Sequence, residues 1–228
     1  MIFKTRGIVL NFVRFRESSI IVRIYTELFG LKTYIVNGVR TSKAKANKIA
    51  YYQPLTLLEL VIYNRANKDI NRISEVKIDT PFHHIPFNHK KNLMAIFITE
   101  VLTKAVKEEE NNTALFEFLR NSFIFFDQQE NNFENFHIQF LLKLTYFLGF
   151  APQNSKGLGN FPGAENIQEE SFFPILEALF NTEYRQYTHT SGKNRTAILE
   201  YIIRFYQFHI EGFGEIKSLQ IIKELHQA

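Results

Sequence analysis

β-branched and aromatic residues gather in short runs from residue 4 to about residue 79, and polar or glycine-bearing breaks separate the runs. Residues 7–13 form the first run, and residues 19–26 the second, after a polar break at 14–18. Runs of this length and composition read as strands. Phe29-Gly30 closes the second strand with a turn glycine, and the third starts at Leu31. A basic stretch with few apolar residues follows at 40–47. The fourth strand, 55–63, is entered through Pro54, and a turn at 64–69 leads to the fifth, 70–78. Five short strands at regular spacing predict a small barrel or sandwich.

The period changes at Pro81. Beyond it, Leu93, Ile96, Phe97, Val101 and Ala105 fall on one face of a helix. Leu115, Phe116, Leu119, Phe123 and Phe126 repeat the spacing. So do Phe133, Phe136, His137, Phe140, Leu141, Leu144 and Leu148, after which Gly149 is a helix C-cap and Pro152 prevents continuation. A loop rich in Gly, Asn and Pro lies within about 151–170, and helices resume at 172–180, 197–208 and 216–225. The expected organisation is α+β, a β-domain over residues 1–80 followed by an all-α domain over residues 81–228.

Charge adds a division that hydropathy does not show. Residues 1–80 carry 14 Lys and Arg against 6 Asp and Glu, a net of +8, whereas residues 81–228 carry 13 against 17, a net of −4. Between Glu27 and Glu59 there is no acid, while Lys32, Arg40, Lys43, Lys45 and Lys48 accumulate. Such asymmetry suggests a polyanionic partner for the basic half. Arg14 and Arg16 flank Phe15, Arg23 precedes Tyr25, and Lys32 precedes Tyr34. Cations grip phosphates, and rings interleaved with them can stack on bases. Alternation along the second strand places Arg23 and Tyr25 on one face and Val22 and Ile24 on the other.

Other chemistries are poorly supported. The chain has no Cys, so disulfides and thiolate metal sites are excluded. No His-Glu-x-x-His occurs, and His83, His84 and His89 lack a carboxylate at catalytic-zinc spacing. Gly192-Lys193 resembles the end of a phosphate loop, but Tyr187 and Asn194 break that pattern. Gly157-Leu158-Gly159 lacks the third glycine of a dinucleotide fingerprint. No constellation meets the geometric demands of an active site, so neither enzymatic turnover nor a cofactor or metal is expected. The N-terminal residues do not read as a signal peptide, and no apolar run approaches a membrane span. A cytoplasmic location, near the nucleoid, is the expectation.

Three stretches resemble the RecO family of bacterial recombination mediators. The first is Gly7-Ile8-Val9-Leu10, then Glu17-Ser18, Ile24-Tyr25-Thr26 and Gly30-Leu31. The second is Gly38-Val39-Arg40 with Gln53-Pro54-Leu55 and Leu57-Leu58-Glu59-Leu60, where Asn37 and Leu55 stand in place of the family's usual Lys and Phe. The third is Phe140, Leu144 and Leu148-Gly149-Phe150-Ala151-Pro152. The resemblance implies an N-terminal OB-fold barrel and a C-terminal helical domain. It implies binding of single- and double-stranded DNA, annealing of complementary strands, and action with RecR to load RecA onto strands coated by single-strand-binding protein. The acidic, aromatic-ended tail of that protein would meet the helical domain. Many members carry a four-Cys zinc module after the third stretch; residues 153–163 hold no Cys, so a helical domain without that module is expected. On this reading Arg14, Arg16, Arg23, Lys32, Arg40, Lys43, Lys45 and Lys48 contact phosphates, and Tyr25 and Tyr34 stack on bases. His137, Phe140 and Lys143 are the candidates for the protein partner. The alternatives are an RNA-binding OB-fold protein, a non-catalytic protein-interaction scaffold and, among enzymes, a metal-dependent nuclease.

Overall fold

The computed structural model describes residues 1–39, 48–64, 69–107, 111–159, 161–162, 164 and 170–227. The chain forms two compact units, one from residues 1–88 with 99–128, the other from residues 89–98 with 129–228. The β-domain expected over residues 1–80 thus lies in a unit that also holds helical residues. Helix α1 (His89–Ala105) contributes to both units.

Strands β1 (Ile2–Phe15), β2 (Ser19–Thr26), β3 (Gly30–Val36), β4 (Leu57–Tyr63) and β5 (Ile70–Thr80) close a barrel in the order β1-β2-β3-β5-β4. This is the OB-like barrel that the five runs and the resemblance led us to expect. Neighbours are antiparallel except β3 and β5, which pair in parallel through Thr33–Ile70, Tyr34–Asn71 and Ile35–Arg72. Inward positions carry Val9, Val22, Ile24, Tyr34, Leu58, Leu60 and Ile62, all buried. Gly7 also faces inward: a Cβ there would lie 2.7 Å from Ile24 Cγ2 and 2.8 Å from Leu60 Cδ1. A register shift between Val9 and Asn11 leaves Leu10 as an extra residue, a bulge that bends β1 around the barrel.

Helix α2 (Thr113–Gln128) covers part of the barrel's outside. Its Phe116 stacks on Tyr25, with ring centroids 6.4 Å apart. Arg6 binds Glu27 and Glu117 and lies over the Phe116 ring, and Arg120 binds Asp79 at 3.0 Å. At the end of α2 the buried Asp127 carboxylate accepts backbone N–H bonds from His83, His84 and Ile85, at 2.8, 2.9 and 2.8 Å. One side chain thereby satisfies three donors in a turn with no sheet or helix partner.

In the second unit, α3 (Phe136–Phe147) is the central helix, buried from Phe136 to Leu142 without interruption. A helix buried all round needs neighbours on every side. Those helices are α4 (Phe173–Asn181), α5 (Gly192–His209) and α6 (Leu219–Gln227), and the Tyr206 hydroxyl of α5 donates to the Leu141 carbonyl at 2.7 Å. Helix α3 ends as the sequence predicts. Gly149 adopts a left-handed φ of 81°, its N–H reaches Tyr146 O and the Phe150 N–H reaches Thr145 O, the paired bonds of a Schellman cap. The segment after this cap, residues 153–163, has no thiolate to offer a metal. Apolar anchors hold it instead: Leu158 is fully buried, its carbonyl accepts from Tyr201 at 2.7 Å, and Phe161 packs among Tyr201, Phe205 and Phe208.

Gly192, which suggested a phosphate loop, has a packing role. It opens α5 behind the Ser191 cap, whose side chain accepts from Asn194 N at 3.2 Å. A Cβ on Gly192 would fall 1.8 Å from the His226 carbonyl oxygen, so only glycine lets the end of α6 approach. Among the described residues no helix is long and apolar enough to cross a membrane.

Candidate nucleic-acid interface

Strand register arranges the outward side chains of the barrel in rows. One row, Ile8, Tyr25 and Leu31, is buried, and Phe116 of α2 stacks on its tyrosine. The next row is Asn11, Arg23, Thr33 and Ile70. Beyond it runs Val13, Ile21, Ile35, Arg72 and Tyr63, across all five strands. None of the residues in these last two rows is buried; Val13 is 58 % exposed, Ile70 43 % and Tyr63 40 %. Helix α2 thus covers one side of the barrel and leaves open the β2–β3 side, which in OB-folds takes oligonucleotides and oligosaccharides. The open rows hold two arginines and no carboxylate.

The turn between β1 and β2 borders this face. Phe15 pairs with Ser19, so Arg16, Glu17 and Ser18 form a three-residue connection. Arg14 and Arg16 are exposed, and the Arg16 guanidinium lies 5.1 Å from the centre of the Phe15 ring. Two bonds tie the turn to the end of β3, Val39 N to Ser18 O at 3.0 Å and Ser19 Oγ to Asn37 Oδ1 at 2.9 Å. Lys32 is half-buried opposite Ile24, and Lys48 is exposed at the start of a short 3-10 turn, Lys48–Tyr52. Between β3, this turn and β5 lies a cleft of about 500 Å³ whose described lining includes Lys48 and Arg72 and no carboxylate. A second barrel cleft, of about 380 Å³, mixes Lys4, Arg6 and Lys77 with Glu27, Glu59 and Glu75. Arg6 there is committed: its bonds to Glu27 and Glu117 hold it even more firmly protonated than usual and pull the Glu27 carboxyl below the ordinary range.

The structure corrects four of the expected contacts. Tyr25 does face outward with Arg23, as alternation requires, but Phe116 covers it and its exposure is 0 %. Tyr34 faces inward opposite Val22, and burial raises its hydroxyl pKa far above the ordinary value. Neither ring has a free face for a base. On α3, His137 and Phe140 are fully buried and cannot meet a partner protein, which is where their place in the apolar stripe already put them. Lys143 is on the surface, 3.2 Å from Glu183 and 5.5 Å from the Tyr184 ring centre. Arg40, Lys43 and Lys45 lie outside the described residues. Arg72 went unnoticed in the sequence because its importance comes from the parallel β3–β5 pairing, which joins residues far apart in the chain.

Residues 1–82 match the family model described as recombination protein O N terminal, and residues 87–162 match recombination protein O C terminal. A DNA repair protein RecO of Flavobacterium psychrophilum is 34% identical, over 99% of each chain. Proteins of the same description from Bacteroides fragilis and Flavobacterium johnsoniae are each 32% identical, again over 99% of both chains.

Proposed function

The chain belongs to the recombination protein O family of DNA repair proteins, and on that premise we propose that the open side of its barrel binds single- and double-stranded DNA and anneals complementary strands. The observation that carries this reading is the concentration of Arg14, Arg16, Arg23, Lys48 and Arg72 on or beside the face that α2 leaves uncovered. Annealing needs two strands neutralised and brought together while their base edges stay free. A cationic sheet surface that grips backbones meets this need, because phosphate contacts position a strand without reading its sequence. Exposed Val13 and Tyr63, with half-buried Ile21 and Ile35, give the same surface apolar area for unpaired bases. The chain would act in the cytoplasm, at the nucleoid.

The helical unit would serve the protein partners, RecR and the tail of single-strand-binding protein, so that RecA is loaded onto coated strands. Lys143 is the one surface residue left among the three contact candidates. The decisive experiment is annealing of complementary oligonucleotides coated with the cognate single-strand-binding protein, with and without that protein's tail. Annealing of bare strands that persists on coated strands only when the tail is intact supports both halves of the reading. No binding to bare DNA would overturn the first half; annealing indifferent to the tail would overturn the second. Tighter binding to RNA than to DNA of equal length would redirect the assignment.

A further inference from the structure

Resting on the DNA-binding reading above, we infer that the cleft between β3, the Lys48–Tyr52 turn and β5 is a subsite for one nucleotide of an unpaired strand, with Tyr51 as the ring that receives the base. The argument starts from the turn. Its two consecutive tyrosines have opposite fates. Tyr52 is 1 % exposed in the barrel core, and burial pushes its hydroxyl pKa up to about 12. Tyr51 is only half-buried: it packs against the core and also lines the cleft. A ring held by core contacts that still reaches a cleft is a stacking platform with little orientation left to lose on binding.

The rest of the lining fits the other parts of a nucleotide. Lys48 and Arg72 supply positive charge for a phosphate, and Asn37 and Ser74 offer neutral donors and acceptors for a base edge or sugar. Among the described residues no carboxylate lines the cleft to repel an anion, whereas three glutamates line the second barrel cleft. The volume, about 500 Å³, lies within the range of pockets that enclose small ligands. A paired base is stacked inside its helix and can reach such a pocket only by leaving it, so the subsite favours unpaired strands. Duplex DNA would engage the phosphate contacts of Arg14, Arg16 and Arg23 alone.

The test uses the full chain and two probes, an oligonucleotide carrying 2-aminopurine and the same oligonucleotide annealed to its complement. Wild-type protein should quench the unpaired probe on binding. Tyr51→Ala should remove the quenching and weaken unpaired-strand binding by roughly 5- to 150-fold, the range for losing one stacked base, with duplex affinity held within about twofold. Tyr51→Phe should restore both signals. Lys48→Gln with Arg72→Gln, two surface changes that spare the core packing of Tyr51, should likewise weaken the unpaired strand more than the duplex. Equal losses for both probes, or no loss in either set, would overturn the subsite while leaving DNA binding intact. Failure of the wild-type chain to bind either probe would remove the DNA-binding reading itself, and the subsite with it.

Discussion

Arg16 occupies the left-handed region of backbone space, with φ of 51°, at the tip of the β1–β2 turn. A side chain there costs about 1–2 kcal/mol relative to the right-handed region, a strain glycine avoids. Strained non-glycine residues concentrate at functional sites, so an arginine in this place points to a use for its guanidinium. Arg16→Gly should leave the melting temperature unchanged or slightly higher while lowering DNA affinity; a fall in melting temperature with unchanged affinity would make the residue structural. Gly7 is the opposite case. The methyl group of Gly7→Ala would collide with Ile24 and Leu60 in the barrel core. Overpacking of this kind costs about 1–3 kcal/mol, or roughly 2–12 °C for a chain this long, measurable by thermal denaturation. What the sequence reveals at this scale is the direction of a side chain, and what it conceals is the cover. Alternation correctly sends Tyr25 outward beside Arg23, but nothing local announces that Phe116, 91 positions further on, will lie over it.

Among elements, α6 is held by contacts that depend on pH. His226 Nε2 lies 3.1 Å from Nε2 of His137 on α3, and Thr196 Oγ1 of α5 lies 3.1 Å from His226 Nδ1. Lys223 binds Glu200 across the same pair of helices, α6 and α5. The Phe97 ring meets His137 edge-on, and the partly buried Arg195 adds positive charge, with Glu134 near it as the opposing acid. Burial first, and then these positive neighbours, hold both imidazoles below their ordinary pKa, His226 at about 4. The folded unit therefore refuses protons that the unfolded chain accepts below pH 6.5. Stability is unaffected above that pH, falls as pH drops from 6.5 towards 4, and levels off for His226 once it protonates in the folded state too. For His226 alone the loss is on the order of 3 kcal/mol. Denaturant unfolding should show a shallower fall over this window in His226→Gln than in wild type; equal slopes would place the acid sensitivity elsewhere. The elements themselves were largely legible: all five strands, the α3 stop at Gly149 and the helices beyond it follow from period and caps, although β1 begins at Ile2 rather than Gly7 and α5 at Gly192 rather than Ala197. The parallel β3–β5 pairing and the joining of α2 to the barrel unit were not, because both depend on closure between distant parts of the chain.

For the whole molecule, the arrangement of charge matters more than its total. The net of +4 is modest, yet the first 80 residues carry +8. Within the barrel the charges are again sorted, with mixed and paired groups around Arg6 and Glu27, and with cations but no carboxylate among the described residues of the open rows and the cleft. Charge balance along the chain made the basic half visible. The segregation within it appears only once the barrel closes and α2 engages Arg6 through Glu117 and Asp79 through Arg120. Binding through this face should release counterions in proportion to the phosphates neutralised, with a slope of about 0.7 per phosphate for a single strand in log affinity against log salt. Replacing Arg23 and Arg72 together with Gln should then lower that slope by about 1.4 and weaken binding most at low salt. Replacing Lys4 and Lys77, which share their cleft with three glutamates, removes the same formal charge from the same barrel. If long-range attraction to the net charge drove binding, the two double variants would behave alike. If the open face is the interface, only the first changes the slope. Matching slopes in the two variants would therefore reject the face while leaving the barrel's overall charge as the cause of binding.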